Sequence, residues 1–90
     1  MVFLIDAHCH LANLAGVMSV LPLIAEAEKQ GIHFWLSSVL AKTEISWHQK
    51  NPDKRIAYSA GIHPNYEECD LELKDIEELC IKKKIWAIGE

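Results

Sequence analysis

The sequence lacks any apolar run near the roughly 20 residues that a membrane helix needs. Its opening apolar run, about five residues long before Asp6, is too short for a secretory leader. The three cysteines, Cys9, Cys69 and Cys80, are odd in number and show no CxxC spacing. A disulfide framework is therefore not expected, and a reduced, cytoplasmic setting is. Positive charge is also scarce: nine Lys and Arg stand against 13 Asp and Glu, a formal charge of -4. That excludes a protein held on DNA by a broad basic surface. It leaves room for an enzyme that grips a few phosphates through a metal. No linker, low-complexity tract or close repeat interrupts the chain.

What the chain does have is 50% hydrophobic and 24% charged residues over 90 positions, enough for one small globular domain. Val2-Phe3-Leu4-Ile5 is a short β-type run. Ser19 to Gln30 reads as a helix capped by Ser19 and stopped at Gly31, with Leu21, Ile24, Ala25 and Glu28 on one stripe. Ile32 to Val39 is a second strand rich in β-branched and aromatic residues. Thr43 to Lys50 is a short helix closed by Asn51-Pro52, and Arg55 to Ala60 is a third strand. Asp70 can cap a helix in which Leu73, Ile76, Leu79 and Cys80 recur at helical spacing. Lys82, Lys83 and Lys84 then favour the C-terminal end of its dipole. Ile85 to Ile88 is a fourth strand. Strands alternating with helices imply right-handed crossovers and an α/β fold with a parallel sheet. Four strands and three helices also make about half of a TIM (β/α)8 barrel, whose usual length is about 250 residues.

The residues able to do chemistry gather at strand ends. If the first strand continues through "IDAHCHL", alternation puts Asp6, His8 and His10 on one face and Ala7 and Cys9 on the other. Two neutral imidazoles there could share an ion such as Zn, Mn or Fe, with Asp6 fixing a tautomer. Cys9 is expected to pack as a small hydrophobe. In parallel α/β sheets the ligand crevice lies outside the carboxyl ends of the strands. His63, in Gly61-Ile62-His63-Pro64, follows strand three, and Glu90 follows strand four. Three of four strands thus deliver a titratable group to one rim. His33 opens strand two at the opposite rim and is expected to be structural. His48 is expected to be structural too, on a surface helix face. Trp35, Trp47 and Trp86 are read as core or interface aromatics. Ser37 and Ser38 lie near the functional rim, but no histidine–acid pair is visible to activate either.

"IDAHCHL", "GIHP" and "AIGE", in that order and spacing, resemble the TatD-type metal-dependent deoxyribonuclease family of amidohydrolase-like TIM barrels. The resemblance runs from Ile5 to Glu90. It implies that His8 and His10 ligate one metal of a two-metal site, with Glu90 bridging both metals and His63 near the substrate phosphate. It further implies hydrolysis of DNA phosphodiesters by a metal-activated water, with Mg, Mn or Zn as the ion. Ala12-Asn13 stands where the family usually has an acid, and Ala7 where it usually has threonine or serine. The family's later ligands, two histidines and an aspartate, have no counterpart. Residues 1–90 therefore read as a single, incomplete hydrolase domain. Its partners would be a DNA substrate and, through exposed edges and an apolar interior, another copy or a missing C-terminal half, with no membrane. Two alternatives stand beside this one: a truncated, non-catalytic metal-binding or assembly fragment, or another amidohydrolase-like hydrolase cleaving a C–N bond.

Overall fold

In the computed structural model, residues 3–89 are described, so the expectations that fall on Val2 and Glu90 lie outside the described residues. The elements run β1 (Leu4–Cys9), α1 (Leu11–Leu14), α2 (Val20–Lys29), β2 (Ile32–Val39), α3 (Lys42–Lys50), β3 (Ile56–Ala60), α4 (Leu73–Ile81) and β4 (Ala87–Ile88). All three strand pairings are parallel, in the sheet order β1-β2-β3-β4. The sheet curls into a half-barrel that matches part of a TIM barrel. No helix among the described residues is long and apolar enough to cross a membrane.

The helices cover one face of the sheet. On β2, Trp35 packs with Leu11, Val20 and Ile24, while Val39 packs with Ala60, Leu71, Ile76 and Leu79. Side chains alternate along a strand, so Phe34, Leu36 and Ser38 take the opposite, inner face. These two clusters lock α1, α2 and α4 onto the sheet. Burying each Leu, Ile or Val in them contributes about 1.5–3 kcal/mol.

The expected elements form, with local differences. Helix α1 is additional: one turn is too short for periodicity to reveal, and Leu11 and Leu14, three apart, pin it to the core. Ser19 occupies the N-cap of α2 without a side-chain cap bond. Asp70 does not cap α4. Helix α4 starts two residues later, with the Glu72 N–H donating to Asp75 Oδ2 at 2.8 Å, and Asp70 Oδ1 instead accepts the Lys42 N–H at 2.8 Å. A carboxylate tied to the start of α3 cannot also close α4.

The end of α4 is a Schellman turn. Lys83 N–H reaches the Cys80 carbonyl at 3.0 Å and Lys84 N–H the Leu79 carbonyl at 2.9 Å. Lys83 takes φ 56 there, in the region that favours glycine. Gly31, at φ 104, makes the corresponding exit from α2 and accepts the Leu4 N–H on its carbonyl at 2.8 Å.

Candidate metal corner at the carboxyl rim

Strand β1 takes in His8 and ends at Cys9, so His10 lies just past it, and the strand does not keep simple alternation. Asp6 is level with Trp35 and Cys9 with Ser37, so three steps on β1 match two on β2. This irregularity re-aims side chains, as β-bulges do. Trp35 and Ser37 share the helix-facing side, which therefore also takes Asp6 and Cys9. The expectation that Asp6 shares a face with both histidines fails for this reason. Its Oδ1 accepts the backbone N–H of His8 at 3.1 Å. Asp6 thus stiffens the bulge and does not orient an imidazole.

The histidines themselves come together. The rings of His8 and His10 stand edge to face with centroids 5.0 Å apart. The ring nitrogen Nδ1 of His8 lies 3.2 Å from Ser38 Oγ. His10 precedes α1 as its N-cap residue, and the next N–H, that of Leu11, donates to Ser37 Oγ at 3.1 Å. His63 arrives from the loop after β3, where its Nδ1 accepts the Asn65 N–H at 3.1 Å. In a neutral ring that leaves the proton on Nε2 as a donor. His8, His10 and His63 line one open cleft of about 350 Å³, with Asn13, Leu40, Glu44 and Tyr66. Three histidines from two strand ends therefore share a cavity, as the strand-end rule anticipates.

Sequence reasoning missed Glu44. It is buried in the first turn of α3, and its Oε1 accepts the Leu40 N–H at 2.7 Å. An acid there satisfies an N–H ahead of the helix and complements the dipole. Its sequence signal was faint: an acid in the first turn of a helix whose N-cap, Ala41, cannot cap.

His48 is structural as expected but not at the surface. It is 6% exposed, its Nε2 lies 3.0 Å from Ser37 Oγ, and its ring stacks on Tyr58 at 4.8 Å. Burial pulls its pKa down from 6.5 to about 4. Because Ser37 Oγ accepts from Leu11, its own proton is free to go to His48, which fits a neutral ring. The helix looked polar enough for a solvated face, yet Glu44 and His48 are buried and paired, Glu44 with the Leu40 N–H just past β2 and His48 with Ser37 on it.

Cys9 packs against the Leu11–Val20–Ile24–Trp35 cluster, and its thiol lies 3.5 Å from the Leu36 carbonyl. Burial, with Asp6 nearby, pushes its pKa up to about 12, in keeping with a small hydrophobe. His33 stacks on Phe3 at 4.7 Å, at the far rim. Trp35 is core and Trp47 packs beside it, while Trp86 is exposed and leans on Phe34 at 5.0 Å.

Among the described residues, no three His, Cys, Asp or Glu side chains form a group able to hold a metal. Neutral imidazoles are donors of the kind a borderline cation takes, and those of His8 and His10 adjoin each other and open on a cleft, with one nitrogen of His8 already partnered.

A family model described as TatD related DNase matches residues 5–90, and the chain belongs to that family. No curated protein matches it.

Proposed function

From that membership, we propose that the chain carries the metal corner of a hydrolase that cleaves DNA phosphodiester bonds. The observation that supports it most is the common cleft of His8, His10 and His63 at the carboxyl ends of β1 and β3. In this reading residues 1–90 are the N-terminal part of one hydrolase domain. His8 and His10 hold a divalent ion (Mg, Mn or Zn), and Glu90 adds the carboxylate that would bridge to a second one. When bound, such an ion supplies Lewis-acid polarisation of a phosphoryl oxygen and lowers the pKa of water.

The chain's own residues then have separate tasks. His63, with Nε2–H as its free donor, suits a phosphate oxygen. The bulge at Asp6 and the Leu11–Ser37 bond fix the backbone on both sides of the histidine pair. A precise first set of ligands needs such rigid support.

The test is metal-dependent DNase activity of the purified chain beside His8→Ala and Glu90→Ala. Activity that needs added metal and is lost in both variants supports the proposal. Equal activity in all three proteins, or none with metal added, sinks the claim that this chain is itself a nuclease.

A further inference from the structure

The tandem serines at the end of β2 send one hydroxyl to each side of the sheet. Ser37 goes to the helix side, to Leu11 and His48. Ser38 goes to the inner side, where it is 3% exposed and meets two groups: His8 Nδ1 at 3.2 Å and the Ser59 hydroxyl, which donates to it at 3.4 Å. The inner layers of such barrels are filled mainly by branched apolar side chains. A buried hydroxyl without a partner is costly there. Two adjacent strands nevertheless each place a serine at the level of His8, in register with each other. Their hydroxyls satisfy one another and the imidazole, and leave His8 Nε2 as the nitrogen free for another partner.

We infer that Ser38, anchored by Ser59, is a positioning residue for His8, fixing its ring plane and presenting Nε2 to a divalent ion. The inference rests on the metal corner proposed above. A ring that gives its Nε2 lone pair to an ion must carry its proton on Nδ1, and that proton needs an acceptor. Ser38 Oγ is that acceptor. In the ion-free ring the same hydroxyl can rotate and donate to Nδ1 instead. A hydroxyl serves both states, where a carboxylate would hold one and a methyl neither. Ser59 keeps the oxygen in place while the proton changes side. The device is absent from Asp6, which the bulge has turned to backbone duty.

The experiment titrates Zn2+ or Mn2+ into the chain by calorimetry and records the His8 ring nitrogens by 15N NMR with and without ion. Ser38→Ala is expected to weaken binding about 10-fold, at the low end of the usual 10–100-fold for a residue supporting a ligand. In the ion-free chain it should also shift the His8 Nδ1 signal toward that of a mixed pair of tautomers. Ser38→Thr should restore both, and Ser59→Ala should fall between. Wild-type affinity and unchanged His8 nitrogens in Ser38→Ala, when His8→Ala has lost the ion, would overturn the role of Ser38 and leave the metal corner standing. A loss in Ser38→Ala that Ser38→Thr does not reverse also counts against it. If His8→Ala binds like wild type, or wild type takes up no ion, the metal corner itself fails and the inference falls with it.

Discussion

Two serine–histidine pairs sit back to back on β2, and their fates differ. Ser37 with His48 lies on the helix side, closed over by α3 and the ring of Tyr58. Ser38 with His8 lies on the inner side, where His8 reaches the open cleft. The hydrogen bonds are similar, 3.0 Å and 3.2 Å. Burial and access separate them. His48 stacks on Tyr58, meets Trp47 edge to face, and has its charged form disfavoured by burial, whereas His8 keeps a nitrogen without a partner on the side of the cleft. A paired histidine is therefore no sign of a site until the environment of its other nitrogen is known.

The sharpest way to break this contrast is to delete each imidazole. His48→Ala should lower unfolding stability by about 3–4 kcal/mol, since it leaves a cavity under α3 and strips Ser37 of a partner. His8→Ala, at an exposed position, should cost under about 1 kcal/mol. Urea unfolding checks both, and equal losses would erase the distinction. Acid is the next probe. With its folded pKa near 4 against 6.5, His48 takes its proton later in the folded state than in the unfolded one. Its contribution is complete above pH 6.5 and falls as pH drops toward 4, by up to about 3 kcal/mol. The carboxyl of Asp53, held down to about 2 by hydrogen bonds from Arg55, loses its share at lower pH than that window. Denaturation at stepped pH should show the upper loss in wild type and not in His48→Gln.

Ion binding reads the other pair. At 100 times its dissociation constant, an ion bound to the folded chain alone adds about 2.7 kcal/mol. The midpoint of thermal unfolding should therefore rise with Zn2+ in wild type and in His48→Gln, and stay flat in His8→Ala. The smallest expected effects come from the hydroxyls. Ser37→Ala orphans the Leu11 N–H and should cost about 1–2 kcal/mol. Ser38→Ala should cost no more than that, because His8 can turn to water and the loss falls on the Ser59 hydroxyl, which is left without its partner. A reversed order in chemical denaturation would mean that the inner pair is the structural one.

Much of this frame was legible along the chain. The bounds of β2 are those its β-branched and aromatic content marks, and Gly31 ends α2 with the positive φ that a helix exit favours. His8, His10 and His63 were placed on one rim by the strand-end rule, and they line one cleft. Asp6 was misplaced because alternation holds only for an unbulged strand, and the bulge exists through pairing with β2. His48 was misplaced because a polar side chain on a polar helix gives no hint that a serine eleven residues earlier waits beneath it. Glu44 and Asp70 took backbone N–H partners that a reading along the chain could not rank.

The sequence by itself determined the order of the strands and longer helices, the parallel sheet and the family, because periodicity, stop signals and short motifs are local properties. Tertiary structure decided which histidine is buried, which hydroxyl serves which ring, and which way Asp6 faces. Those depend on register between β1 and β2 and on what α3 covers. Such contacts join residues 11 to 30 positions apart, and local pattern carries no record of them.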